Sequence, residues 1–241
     1  MNYLEMNDKG KFAREEQLLA DYFGKDNYVP FYHKHFIKNR IVINKNDFIA
    51  GTIPVIFNAF KKLKIDYKHD DYPDALKKYL HRHIWYTKLG YLKNKVYNDE
   101  LINGVFVKPY DKLKRFTGFV LTTSDDWKYT NGAGDSTKVT CSEPVKWLTE
   151  YRVPVVNGKA LDYCNYSGTP DIEIDKAVVD NMIADWKDAP SAYALDVGLL
   201  ETGETALVEI NDAFALGSYS MSSEVYGKLL TTRWKELTNN D

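Results

Sequence analysis

Apolar residues recur along this chain with two different periods. In the first third the helical period dominates: residues 13–23 carry Leu18, Leu19, Tyr22 and Phe23 at helical spacing, and residues 49–63 open on a Gly51-Thr52 turn before a helical stripe in IPVIFNAFKKL. Pro54 falls in the first turn of that helix, where its missing N–H costs nothing. Residues 40–44 (RIVIN) form a β-branched run that predicts a short buried strand, and residues 73–89 are expected to form a further helix. Strand, glycine turn and helix in this order predict a small α/β lobe.

Further along, the period shortens toward two. Strands are expected over 105–108, 119–123, 138–141, 151–156, 193–199 and 206–210, with polar, glycine-containing residues 125–136 as a loop. Asn157-Gly158 predicts a tight hairpin, because the pair accepts positive φ at both central positions. Residues 201–204 join the last two strands as a second hairpin, and helices are expected over 174–186 and 222–237. The predicted fold class is thus α/β at the start and α+β with antiparallel hairpins after it.

Composition narrows the function without naming it. The 241 residues carry a formal net charge of −2, which gives no electrostatic footprint for nucleic acid. No run approaches the ~20 apolar residues of a membrane span. The first residues are mixed polar, without the apolar core of a signal peptide. Cys141 and Cys164 form no CxxC pair or even-numbered framework, so reduced thiols in a cytoplasmic protein are expected. Oligomeric state is not legible.

The chemistry concentrates in ALDVGLLETGETALVEINDAFALGSYS. Alternation along a strand points Glu209 and Asn211 the same way, and the hairpin brings Asp196 beside them. Two carboxylates and an amide make an all-oxygen set suited to magnesium, which keeps waters and takes further ligands from phosphates. Asp212 is a further oxygen nearby. Cross-strand polar residues on a solvated face are the competing reading, but the apolar flanks place these acids in buried strands, where an unpartnered carboxylate is costly. His81 and His83, expected on a helix, point apart at i and i+2; His33 and His35, expected on a strand, share a face but lack Cys or His partners at zinc spacing; no G-x-S-x-G elbow is present, and the glycines after Asn131 precede a strand, not a helix.

A strand ending in Asp, a hairpin, and a strand reading VEIN resemble the metal-binding end of the ATP-grasp fold. Upstream segments match in order over roughly residues 40–237. VFVKP resembles the strand whose lysine, here Lys108, contacts the α- and β-phosphates of ATP. VTCSEPV resembles the hinge strand that meets adenine, which implicates Ser142, Glu143 and Val145. TEYRVPVVNGKAL resembles a family hairpin carrying Glu150, Arg152 and Lys159. FVKP with KRFTG, the Gly51-Thr52 turn and the LGSY tail resemble one clade in particular, a phage- and bacteria-associated group named for two arginines and a lysine.

The resemblance implies an N-terminal Rossmann-like lobe at residues 1–90 and an ATP-grasp domain at 91–241, divided into a small lobe (91–143) and a metal-binding lobe (144–241), with ATP held between the last two. It implies ATP and Mg2+ as cofactors and a carboxylate–amine ligase that works through an acyl phosphate. The partners implied are a carboxylate substrate and an amine co-substrate, with a peptide or protein as the class the clade suggests, and no nucleic acid or membrane. Asp196, Glu209 and Asn211 are the implied metal ligands. Arg152, Arg82 and Lys114 are the implied catalytic residues, with Lys112 the alternative in the basic loop closing on Gly118. A planar guanidinium at Arg152 suits a phosphoryl or carboxylate oxygen; a cross-strand pair with Glu150 or Glu143 is its structural alternative. A nucleotide-binding interaction protein without turnover, and a phosphotransferase on the same scaffold, stand beside the ligase reading. Pro154 lacks an N–H, so its strand is expected to be an edge there.

Overall fold

The computed structural model describes residues 1–241 except 69, 99, 101, 102, 111–114, 240 and 241. The described residues divide into two compact units, one built from residues 1–79 with 147–241 and one from residues 80–146.

The first unit begins with a parallel sheet. Strand β1 (Asn2–Met6) is followed by helix α1 (Arg14–Phe23), strand β2 (Val29–Tyr32), the short helix α2 (His33–Ile37), strand β3 (Phe48–Ala50) and helix α3 (Ile53–Leu63). β1 is central, with β2 and β3 parallel to it on either side. Residues 40–44 are not the expected strand: Val42 is 84% exposed and a turn follows, in which Asp47 N–H donates to the Asn44 carbonyl. The apolar run that pairs with β1 is Phe48–Ala50, all three residues buried. Gly51 then lies so close to Glu5 that an added Cβ would collide with its carboxylate. That close approach lets Glu5 accept the Thr52 N–H at 2.6 Å, at the start of α3. His33 and His35 lie on α2, not on a strand.

After a 3-10 helix over Asp74–Tyr79 the chain enters the second unit, which consists of strand β4 (Ile84–Lys88), helix α4 (Leu89–Tyr97), strand β5 (Val105–Pro109), strand β6 (Phe119–Leu121), a 3-10 helix over Ser124–Thr130 and strand β7 (Lys138–Ser142). Residues 73–89 therefore form no single helix. His81 takes a left-handed φ of 48°, and Ile84–Lys88 pairs residue for residue with β7, a ladder that outweighs local helical spacing. Residues 80–90, read from the sequence as part of the N-terminal lobe, belong to this second unit. Its sheet order is β4-β7-β5-β6, all antiparallel. One face packs Val105, Val107, Leu121, Val139 and Cys141 against Leu89 and Leu92 of α4. The expected loop at 125–136 contains the second 3-10 helix, begun by a capping box of Thr123 and Asp126.

The chain returns to the first unit as strand β8 (Trp147–Val156), strand β9 (Lys159–Ala160), strand β10 (Cys164–Gly168), helix α5 (Lys176–Asp185), strand β11 (Ala192–Leu200), strand β12 (Thr205–Asp212) and helix α6 (Ser223–Asn239). The antiparallel order is β10-β8-β11-β12, with β9 beside β8. Asn157 and Gly158 take φ of 49° and 71°, the turn that the Asn-Gly pair predicts. Pro154 pairs with Ala194 of β11, while the ladder to β10 ends at Arg152. On that open side the Pro154 carbonyl accepts the Leu161 N–H, so the proline lies at a local edge of an otherwise inner strand.

Helix α6 ties this sheet to the N-terminal elements. Tyr226, Leu229, Leu230 and Trp234 join Leu4, Leu19, Ile49 and Phe60 in one core. Trp234 Nε1 donates to the Asp47 carbonyl at 2.5 Å, which satisfies the one polar atom of a buried indole. Gly227 lies flat against the Tyr22 ring, leaving no room for an added Cβ. No helix among the described residues is long and apolar enough to cross a membrane.

Candidate functional site

The β8–β11–β12 register places Asp196 directly opposite Arg152 on one side and Glu209 on the other. Directly opposed residues point to the same face, so the three side chains form one cross-strand row. Asn211 lies two residues along β12 and shares that face. Its Nδ2 donates to Asp196 Oδ2 at 2.9 Å and to Glu209 Oε1 at 3.3 Å. The three oxygen-bearing residues singled out in the sequence therefore converge. A register shift between Asp196 and Val197 marks a local bulge at this point of the ladder.

Arg152 is held more tightly than the sequence suggests. Its Nε and Nη2 donate to Asp196 Oδ1 and Oδ2 at 2.8 and 2.6 Å, and its Nη1 donates to the Gly217 carbonyl at 3.0 Å. The partner is Asp196, not Glu150 or Glu143. Both side chains are almost fully enclosed, at 6% and 4% exposure. Arg152 spends three of its five N–H groups on these bonds, so its guanidinium is fixed in place before any ligand arrives.

Two tyrosines complete the row. Tyr219 lies under the guanidinium, 4.7 Å from ring centre to Cζ, and stacks on Tyr166 at 4.7 Å with 14° between the rings. Tyr166 lies within the β10 register shift and donates to Glu150 Oε2 at 3.1 Å. The segment bearing Gly217 and Tyr219 is pinned from several sides. Ser218 N–H and Oγ donate to Glu15 Oε1 at 3.1 Å each, Arg14 donates to the Tyr219 carbonyl, and Tyr226 donates to the Leu216 carbonyl at 2.9 Å. Tyr166, Tyr219 and the Glu15–Ser218 bonds were missed by sequence reasoning. Their signal was the LGSYS run, which reads as a loop of small polar residues until its partners are known.

Burial pushes the Asp196 carboxyl up to about 6; Arg152 opposes that shift, while Glu209 and Glu150 reinforce it. Asp196 is thus ionised at neutral pH. Burial disfavours the Arg152 cation, but the bonded carboxylate outweighs it and holds the guanidinium above its ordinary value. Burial raises the Tyr166 and Tyr219 hydroxyls and the neighbouring carboxylates add to it, while at Tyr219 the Arg152 cation opposes the shift without reversing it, so both stay neutral. Asp212, expected close by, points away. Adjacent strand residues alternate faces, and Asp212 is gripped by Arg233 Nε and Nη2 at 2.7 and 2.8 Å.

Among the described residues no group of three His, Cys, Asp or Glu side chains is arranged to hold a metal. The cluster is two carboxylates and an amide. Its donor chemistry fits magnesium bound jointly with phosphate, since that ion takes few protein oxygens and fills the rest of its shell elsewhere. A half-turn of the Asn211 amide exchanges Nδ2 for Oδ1 and aims a third oxygen at the same point.

The other expected residues lie elsewhere. In the 80–146 unit, Lys108 of β5 stands opposite Thr140 of β7, on the face away from the apolar core. Gly118, read as a loop hinge, lies against Phe106 of the same face; an added Cβ would approach that ring to 2.5 Å and the Lys108 Cβ to 3.4 Å. Lys112 and Lys114 lie outside the described residues. Ser142 Oγ donates to the Glu143 carbonyl at 3.1 Å, and Glu143 Oε2 accepts the His83 N–H at 3.0 Å. Val145 follows, half-buried. Arg82 is in a bend before β4, not a helix, and donates to the Leu80 carbonyl at 3.0 Å. Lys159 sits in the β8–β9 hairpin of the larger unit and lines a surface cavity with Tyr163, Asp180 and Trp186, not the carboxylate row. Cys141 and Cys164 are buried free thiols.

A family model matches residues 79–229, more than half of the chain; it describes the ATP-grasp domain of family 2 in the clade named for two arginines and a lysine. A search of curated proteins returned no match. Among solved structures, D-alanine–D-alanine ligase from Bacillus anthracis complexed with ATP aligns with a TM-score of 0.60 at 16% identity, covering 100% of this chain and 99% of that one. A RimK domain ATP-grasp protein from Sphaerobacter thermophilus aligns at 0.56 and 11% identity, covering 96% and 98%. The ATP-grasp ligase PsnB, complexed with minimal precursor, Mg and ADP, aligns at 0.52 and 11% identity, covering 98% and 96%. At these identities the likeness speaks for the fold, and the fold is that of ATP-grasp ligases. The chain belongs to the ATP-grasp domains of the two-arginine, one-lysine clade, family 2.

Proposed function

We propose that this protein is an ATP-dependent ligase that joins a carboxylate to an amine through an acyl phosphate, with magnesium held by Asp196, Glu209 and Asn211. The observation that carries the reading is the single row Arg152–Asp196–Glu209, with Asn211 bonded to both acids, in a chain of ATP-grasp family. When bound, magnesium would neutralise phosphate charge and orient the triphosphate.

The chain's own residues do the rest by position and charge. Arg152 keeps Asp196 ionised and fixed, and so sets the metal-facing edge of the row. Tyr219 and Tyr166 shield that ion pair from water, which strengthens every charge interaction beside it. In this reading Lys108 serves the phosphates, and Ser142, Glu143 and Val145 the adenine. The γ-phosphoryl moves from ATP to the substrate carboxylate oxygen, releasing ADP. The amine then attacks the acyl carbon, an amide bond forms and phosphate leaves. No enzyme nucleophile is needed. Peptide or protein substrates fit the reading, since one ligase of this fold was solved with a precursor.

The test mixes the protein with Mg-ATP, candidate carboxylates and hydroxylamine. A hydroxamate together with ADP supports the ligase. ADP formation with a phosphorylated alcohol and no hydroxamate would point to phosphotransfer instead, and nucleotide binding without ADP to an interaction protein.

A further inference from the structure

The face of the 80–146 sheet that carries Lys108 holds a buried polar atom that its own fold does not satisfy. β7 is flanked by β4 and β5, and its register sets Tyr86, Thr140 and Lys108 in one cross-strand row. Thr140 is the middle member. It is 3% exposed, and its Oγ1 has no hydrogen-bond partner among the described residues. Ser142, next along the same face, meets its need locally through the Glu143 carbonyl. The opposite face of β7 is filled by Val139 and Cys141, in ordinary apolar packing.

A buried hydroxyl without a partner is destabilising, typically by ~1–3 kcal/mol, and valine would fill the same shape without that cost. The hydroxyl is therefore a group whose partner comes from outside the described side chains of the unit. Opposed residues in an antiparallel ladder have Cβ atoms ~5 Å apart, so whatever the Lys108 row receives lies within reach of Thr140. A Thr hydroxyl donates one hydrogen bond, and beside a lysine ammonium the complementary ligand is an anion rich in acceptors.

We propose that Thr140 donates a hydrogen bond to the nucleotide's phosphate beside Lys108, and so helps set nucleotide affinity. The inference rests on the ATP-dependent reading above and adds to it a binding residue that lies within VTCSEPV but that the sequence did not single out.

The experiment compares wild type, Thr140→Val and Thr140→Ser as full-length proteins, measuring Mg-ATP and Mg-ADP affinity and the melting temperature without ligand. The valine variant is expected to bind both nucleotides about tenfold more weakly and yet to melt ~2–4 °C higher, because the unsatisfied hydroxyl is gone. Serine, which keeps the hydroxyl, is expected to restore most of the affinity. Wild-type affinity in Thr140→Val would overturn the proposal. So would a valine variant that loses affinity and melting temperature together without rescue by serine, since the hydroxyl would then support the sheet. A wild type that binds no nucleotide at all would sink the ligase reading, and this inference with it, so the two failures look different.

Discussion

Two arginine–aspartate pairs are buried in the larger unit, on opposite faces of the same sheet, and their surroundings differ. Arg233 grips Asp212 with two bonds and Glu236 with a third, and Glu236 also accepts the Ser191 N–H and hydroxyl. That network links α6 to the ends of β11 and β12. Arg152 grips Asp196 in the same bidentate way, but Glu209 and Glu150 also crowd the carboxylate, and an amide and two tyrosines close the row. One buried guanidinium thus stands beside three acids. A buried ion pair does not by itself mark a site; what separates the proposed site from the other pair is the crowd of like charge around it, since acids gathered in this way suit a further cation.

The comparison breaks most sharply if each pair is cut in turn. Asp196→Ala leaves the Arg152 cation buried without its partner, an arrangement that costs about 3–5 kcal/mol. Chemical denaturation should register that loss, and the folded remainder should gain no stability from Mg-ATP. Arg233→Ala strands Asp212 at a slightly more open position, for an expected loss of about 3 kcal/mol. This variant should still be stabilised by Mg-ATP as the wild type is. Loss of nucleotide response in both variants would erase the distinction between strut and site.

A third buried acid shows what burial does without an arginine. Glu16 of α1 has its carboxyl pushed up to about 7, by burial first and then by Glu5 and Glu15. Its folded value lies above the unfolded one, so its ionisation opposes folding; stability from this group is greatest below the unfolded value and falls as pH rises through 7. Glu16→Gln should remove that slope, and the variant should be more stable than wild type by about 3 kcal/mol at pH 8, with the difference vanishing below about pH 4. Denaturation midpoints across that window check the sign.

The carboxylate row was legible because two residues on one strand must share a face, and because the Glu201–Glu204 turn leaves the hairpin little freedom of register. The Asn157-Gly158 turn and α3 were legible for similar local reasons. β1 was not, since NYLEM offers Leu4 as its fully buried apolar residue and hides Glu5 at the end of the strand, where the Thr52 N–H and His33 meet its charge. RIVIN misled because β-branched residues favour a strand only where a neighbour is free to pair, and β1 already pairs with Phe48–Ala50. Residues 73–89 misled because apolar spacing cannot foresee a ladder to β7, whose paired residues lie 50 or more positions away. The partner of Arg152 was hidden for the same reason: register between β8 and β11 is a tertiary fact.

The most direct test is the magnesium dependence of ATP-induced thermal stabilisation in wild type and Glu209→Gln. The substitution keeps the shape and removes a charge that presses on Asp196, so the ligand-free melting temperature should hold or rise slightly. Wild type should be stabilised by ATP with magnesium far more than without it, in proportion to RT ln(1 + [L]/Kd). The variant should show no magnesium-dependent increment. An undiminished increment in Glu209→Gln would contradict the metal role of the row.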